Sequence, residues 1–145
     1  MKICLNCKKK LTNKYSKYCS NQCQFEFQWK EWCKEVEKLG YFKGYDGRHS
    51  GSSILRPKKY ILEKQNGRCA ICGISKWMKK PAPFILDHID GDSTNWKVIN
   101  IRVVCRNCDG QLETFGGKNK GNGKREYIRY RDKKGKYHKR KKRNK

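Results

Sequence analysis

Leu86-Asp87-His88-Ile89-Asp90-Gly91-Asp92, then Asn95 and Asn100, then Cys105-Arg106-Asn107-Cys108-Asp109 form the stretch that decides how the rest of the chain is read. Phe84 to His88 is a short apolar run closing on two polar residues, and it predicts a strand. Ile89 to Lys97 reads as a polar turn, and Ile101 to Val104 as a returning strand. Cys105-x2-Cys108 then turns the chain into a short helix carrying Gln111, Leu112 and Phe115, with Asp109 at its start. Side chains alternate along a strand, so Asp87 and His88 face one site only if the strand bends or ends there. The Asp90-Gly91-Asp92 turn supplies such an end.

Upstream lies a second close pair, Cys69-Ala70-Ile71-Cys72, so this region reads C-x2-C-x32-C-x2-C. The N-terminal region repeats the arrangement with Cys4, Cys7, Cys19 and Cys23, spaced C-x2-C-x11-C-x3-C. Four thiolates in two close pairs are the ligand set of a tetrahedral Zn2+ site. A disulfide framework fits less well, because the cysteines number nine and the first residues, Met1-Lys2-Ile3-Cys4-Leu5-Asn6-Cys7, lack the apolar stretch expected of an export signal. Two structural zinc sites are therefore expected, stapling units too small to be held by a core alone. The ninth cysteine, Cys33, falls in an apolar helical pattern and reads as a buried small hydrophobe.

From Ser20 onward, Phe25, Trp29, Trp32, Val36 and Leu39 recur at helical spacing, and Gly40 stands where such a helix would end. These aromatics are expected to be core. A knuckle at Cys4 and Cys7 tied to this helix resembles a treble-clef zinc finger. Gly40, Gly44, Gly47 and Gly51, with Ser50, Ser52 and Ser53, read as a mobile linker. A short helix follows, with Pro57 in its first turn, apolar surface from Tyr60, Ile61 and Leu62, and Asn66-Gly67 as its stop. Beyond Gly116, Gly117, Gly121 and Gly123, Tyr127 to Arg131 and Lys136 to Lys139 flank Asp132-Lys133-Lys134-Gly135; a basic hairpin and a disordered tail both suit that composition. The expected fold class is a small α+β zinc-stapled protein: a finger over residues 1–40, a linker over 41–53, a core over 54–115 and a basic tail over 116–145.

The chain has 145 residues, and 37 Lys+Arg against 13 Asp+Glu give it a net charge of +24. With a mean hydropathy of −1.08 it contains no apolar run of the roughly 18 residues that a membrane span requires. So basic a protein attracts polyanions, and nucleic acid is the expected partner. The excess is concentrated: residues 116–145 hold 15 basic and 2 acidic side chains. Lys118, Lys120, Lys124, Arg125, Arg129 and Arg131 are the expected DNA contacts, with Tyr127, Tyr130 and Tyr137 interleaved for stacking. The tail lacks the Leu, Phe and Trp of a membrane-inserting helix.

In Asp87-His88, the Asn five residues before Cys105-x2-Cys108, and Asp109 directly after it, the chain resembles the HNH endonucleases, the ββα-metal or His-Me finger nucleases, and within them phage-type members with a Cys4 zinc site. The resemblance spans about residues 54–123. It implies a metal-dependent DNA endonuclease acting on double-stranded DNA in the cytoplasm of a bacterial or phage-infected cell, leaving 5′-phosphate and 3′-hydroxyl ends. His88 is then the base for the attacking water, since an imidazole of ordinary pKa about 6.5 suits that work. Asp87 and Asp109 would hold Mg2+ or Mn2+, hard cations that take oxygen ligands. Asn100, with Asn95 as runner-up, would hold the loop after His88 in shape. Cys69, Cys72, Cys105 and Cys108 would bind the zinc beneath the site. The family often has His or Asn at the last position, where this chain has Asp109. A non-catalytic zinc-stapled nucleic-acid-binding protein and an RNA nuclease are the competing readings, separated from the first by cleavage assays on DNA and RNA.

Overall fold

A computed structural model describes residues 2–13, 15–45, 54–116, 127–131 and 137–141, the last two segments as backbone. The chain divides into two compact units, Met1–Tyr41 and Phe42–Lys145.

In the first unit, the Cys4–Cys7 knuckle is closed by backbone bonds from the Cys4 N–H to the Lys9 carbonyl (2.8 Å) and from the Lys8 N–H to the Cys4 carbonyl (3.0 Å). Helix α1, Asn21–Leu39, begins where the sequence places it: the Ser20 hydroxyl accepts the Cys23 N–H at 3.2 Å. Gly40, at φ 71, ends it by donating to the Val36 carbonyl. Its apolar stripe departs from expectation. Val36 is buried, but Phe25 is 64% exposed, Leu39 is also exposed, and Trp29 and Trp32 are half-buried, stacked on each other at 5.3 Å. Cys33 is likewise half-buried rather than a core residue. A helix of 19 residues offers more apolar surface than so short a knuckle can cover.

The second unit starts earlier than the expected end of the linker. Phe42 is 1% exposed, donates its N–H to the Trp96 carbonyl at 2.9 Å, and packs edge-on against Tyr60 and Trp96. Tyr45 joins the same cluster, 4.9 Å from Trp96. Large aromatic rings outweigh the loosening effect of Gly44, so 42–45 is packed chain; 46–53 lies outside the described residues. Helix α2, Leu55–Lys64, buries Pro57, Tyr60 and Ile61 and ends with Asn66 and Gly67 both at positive φ, as Asn-Gly suggests.

A hairpin that the periodicity does not announce comes next: β1, Lys76–Trp77, pairs with β2, Lys80–Pro81, around the two-residue loop Met78-Lys79. Strand β3, Phe84–His88, then pairs antiparallel with β4, Ile101–Cys105, in the register Phe84↔Cys105 to His88↔Ile101. Helix α3, Arg106–Asp109, is only four residues long. Asp109 therefore closes the helix instead of opening it, and Gln111, Leu112 and Phe115 lie beyond it in turns bonded three residues back. Gly110 follows directly, which accounts for the early stop. In the tail, β5, Tyr127–Arg131, pairs with β6, Tyr137–Lys141, so the basic hairpin forms, its second strand starting one residue and ending two residues later than expected.

The core of this unit gathers under β4, where Val103 and Val104 are fully buried and Ile101 and Cys105 nearly so. The outer edge of β4 is closed by a side chain. Gln65 donates its amide N–H to the Val103 carbonyl and accepts the Val103 N–H, both at 2.8 Å, in the manner of one more residue of strand. Replacing Gln65 with Leu leaves a buried Val103 N–H without that acceptor. The urea midpoint of the zinc-loaded protein should then fall by the equivalent of about 1 to 3 kcal/mol.

Candidate active site and metal centres

Four sulfurs converge in each unit. The thiols of Cys4, Cys7, Cys19 and Cys23 all lie within 4.8 Å of one another, and so do those of Cys69, Cys72, Cys105 and Cys108. Neighbouring sulfurs stand at 3.5 Å (Cys7–Cys19), 3.4 Å (Cys19–Cys23) and 3.7 Å (Cys72–Cys105), far beyond the roughly 2.05 Å of a disulfide. A tetrahedron of sulfurs about 2.3 Å from its centre has edges of about 3.8 Å, so the spacing suits a zinc-sized ion. The local backbone prepares the ligands. Burial works against ionising Cys69, but N–H groups of Cys72, Cys105 and Ile71 outweigh it and lower the thiol to about 6. Burial and the surrounding thiols push Cys108 up to about 12. In the first unit Cys4 is lowered to about 6, where burial is again outweighed by N–H groups of Cys7, Cys19 and Asn6. Cys19 is raised to about 12 by the Cys23 and Cys7 thiols. Native mass spectrometry should find two divalent ions per chain, with Cys4→Ser losing one and Cys69→Ser losing the other.

The second cluster is built from the knuckle, the end of β4 and α3, so it ties the helix to the strand pair. Gly73, at φ 73, lets its N–H reach back to the Cys69 carbonyl, and the Cys105 N–H points at the Cys69 sulfur at 3.3 Å. Tied in this way, α3 brings Asp109 within the electrostatic field of Asp87. Burial raises the Asp109 carboxyl above the ordinary range, and the Asp87 charge raises it further against the pull of Arg106. Sequence reading misses the partner of Asp87, however: Arg102, opposite it on β4, donates its Nε–H to Asp87 Oδ2 at 2.7 Å. Its signal was available in the register, since Arg102 follows from pairing Phe84 with Cys105. Among the described residues, only the two cysteine clusters bring three or more metal-type ligands within 4.8 Å, so Asp87, Asp109 and His88 make no third group of that tightness.

His88 is the last residue of β3, where the strand ends as the sequence requires for it to work beside Asp87. The Gly91 N–H donates to the His88 carbonyl at 2.8 Å, and Gly91 takes φ 69 to turn the chain. The imidazole stands edge-on to Trp96 at 4.8 Å, and its buried Nε2 has no hydrogen-bond partner. Burial pushes the His88 pKa below 6.5, resisted by the charges of Asp90, Asp87 and Asp92, so the ring is neutral near pH 7. Trp96 is a site neighbour that composition alone does not single out.

Asn100 is buried and holds the loop between β3 and β4. Its Oδ1 accepts the Asp90 N–H (3.2 Å), and its Nδ2 donates to Asp90 Oδ1 (2.9 Å) and to the Asn95 carbonyl (3.0 Å). Asn95 takes part at one remove, donating to Asp90 Oδ2 at 2.6 Å. Burial opposes ionisation of Asp90, yet bonds from Asn95, the Asp92 N–H and Asn100 hold its carboxyl below the usual range. Asp92 accepts both the N–H and the hydroxyl of Thr94. Asp90 and Asp92 are thus engaged in loop structure. Of the expected DNA contacts, Lys118, Lys120, Lys124 and Arg125 lie outside the described residues; Arg129 stands opposite Lys139 and Arg131 opposite Tyr137 in the β5–β6 hairpin.

A strand pair, a loop pinned by Asn100, His88 at the strand end and a cysteine-clamped helix carrying Asp109 make up the layout of the second unit. The chain is similar to the H-N-H endonuclease F-TflIV of Escherichia phage T5, with 39% identity over 77 residues. This likeness supports the HNH endonuclease family. The matched stretch is 53% of this chain and 34% of the phage protein, so the chain spans about a third of that relative's length. No family profile and no solved structure matches.

Proposed function

We propose that the chain is a metal-dependent HNH endonuclease that hydrolyses phosphodiester bonds of double-stranded DNA. The observation that carries this reading is the placement of His88 at the end of β3, beside a loop pinned by Asn100, with Asp87 and Asp109 in each other's field. His88, kept neutral by burial, accepts a proton from the water that attacks phosphorus. The bond to the 3′ oxygen breaks, leaving a 5′-phosphate and a 3′-hydroxyl. Asp87 and Asp109 would hold Mg2+ or Mn2+; Arg102 donates to Asp87 Oδ2, and Asp87 Oδ1 would be left to serve such an ion. When bound, such an ion offsets charge gained by the phosphate and stabilises the leaving oxygen. Asn100 fixes the backbone that follows His88, and Arg102 fixes the Asp87 carboxylate against β4.

Zn2+ is the proposed occupant of both cysteine clusters, where it orders the site without touching substrate. The basic tail and the finger supply backbone affinity, and a bacterial or phage-infected cytoplasm is the proposed setting.

Purified zinc-loaded protein should nick or cut plasmid in Mg2+ or Mn2+, and His88→Ala should lower the rate by about 10² to 10⁴ with DNA binding retained. Asp109→Ala should also lose cleavage, while Asp109→His should keep part of it, because an imidazole can take the same ligand position. Plasmid that stays intact under every divalent ion, while still bound, would leave the non-catalytic reading standing; cleavage confined to RNA would favour an RNA nuclease. Affinity should fall by about 10³ to 10⁵ between 50 and 200 mM salt if roughly 6 to 10 phosphates are contacted, as a filter-binding titration would measure.

A further inference from the structure

We propose that the β1–β2 hairpin is a wedge that inserts Met78, supported by Trp77, into a base step of the duplex bound by the active site; the inference rests on the DNA-endonuclease reading above. The hairpin is made in an unusual way. Its two-residue loop needs positive φ at both positions, a geometry ordinarily given to Asn-Gly or Gly-Gly. Here Met78 takes φ 50 and Lys79 φ 63. Left-handed backbone is unfavourable for both side chains, and strained positions of this kind gather at functional sites. The strain presents an apolar side chain to solvent: Met78 is 82% exposed and Trp77 is 53% exposed.

The surroundings favour a polyanion. Lys76, Lys79 and Lys80 are all exposed beside these two residues, and the run from Arg68 to Leu86 contains no acid. An apolar tip flanked by cations matches proteins that kink a duplex, in which Met, Leu or Phe enters a base step while Lys and Arg hold the flanking phosphates. A lipid surface suits the tip less well, since two apolar residues among three lysines give little area to bury.

The hairpin is also firmly rooted. At its base the Ala82 N–H donates to the Ser75 carbonyl at 3.0 Å, and Ala82 is buried. Ile74 packs against the buried cluster of Cys69, Val104 and Cys105, and the Arg106 N–H donates to the Pro83 carbonyl. The cysteine cluster that clamps α3 therefore also anchors the wedge. Met78 precedes His88 by ten residues, so fully extended chain would separate them by at most about 36 Å, near ten base steps. The proposed insertion thus falls on the same stretch of duplex as the cut.

The test uses full-length zinc-loaded protein and duplexes carrying 2-aminopurine at successive positions around the cut, with Ca2+ in place of Mg2+ to hold the complex uncut. Wild type should raise the fluorescence about threefold or more at one step, the signature of unstacking. Met78→Gly relieves the backbone strain, so the hairpin is retained while the wedge is lost, and the signal should vanish; Trp77→Ala should weaken it. In Mg2+, Met78→Gly should cut an intact duplex about tenfold more slowly, and an abasic site at that step should restore the rate because the step is already unstacked. Restoration is a readout that a merely structural role for Met78 would not move. Unchanged fluorescence and unchanged cutting in Met78→Gly, with wild type active, would overturn the wedge and leave the nuclease reading intact. Wild type that neither binds nor cuts DNA overturns both. Capture of wild type by phosphatidylserine vesicles, lost in Met78→Gly and without any 2-aminopurine response, would reassign the hairpin to a membrane surface.

Discussion

The convergence of Cys69, Cys72, Cys105 and Cys108 is the constraint on which the second unit depends, because it joins the knuckle, the end of β4 and the short helix α3 at one point. A four-residue helix has no stability of its own, since forming its first turn fixes several residues for one or two hydrogen bonds. A two-stranded antiparallel pair is marginal for similar reasons. With sulfurs of the knuckle, the end of β4 and α3 gathered within 4.8 Å, helix and strand pair become one body. Asp109 then acquires a defined position relative to Asp87, and the base of the β1–β2 hairpin acquires a fixed root.

The other end of the strand pair is ordered without sulfur. Asn100 and Asp90 exchange bonds across the loop, Asn95 closes the second oxygen of Asp90, and Trp96 carries the aromatic packing from Phe42 to the His88 ring. Polar groups buried in a loop are costly unless bonded, and this network bonds both Asp90 oxygens and the Asn100 side chain from within the loop itself. The acids Asp90 and Asp92 are therefore occupied with backbone and side-chain donors. Asp87 and Asp109 are the proposed ligands of a hard cation.

Much of this was legible beforehand. Local rules placed the Ser20 and Gly40 caps, the Asn66-Gly67 stop, the β3 strand with its end at His88, and the pairing of cysteines into two groups. Resemblance nominated Asn100 for the loop, and its bonds to Asp90 and Asn95 suit that role. The α1 aromatics were less legible, because helical spacing says which side chains share a face and nothing about whether other chain covers them; Phe25 and Leu39 lie uncovered. The β1–β2 hairpin left no trace in the pattern, since Met78-Lys79 is not a sequence that ordinarily makes a two-residue turn.

What the sequence determined by itself was whatever depends on neighbours along the chain: caps, stops, strand alternation, and ligand pairs two or three residues apart. Tertiary structure alone decided what depends on separate segments meeting. It gave Gln65 the open edge of β4, drew Phe42 and Tyr45 out of an apparent linker, and put Trp96 beside His88. The physical reason is the range of the forces involved. Backbone propensity and capping act within a turn or a strand, whereas burial, ion pairing and sulfur convergence act between surfaces whose meeting is set by the whole fold.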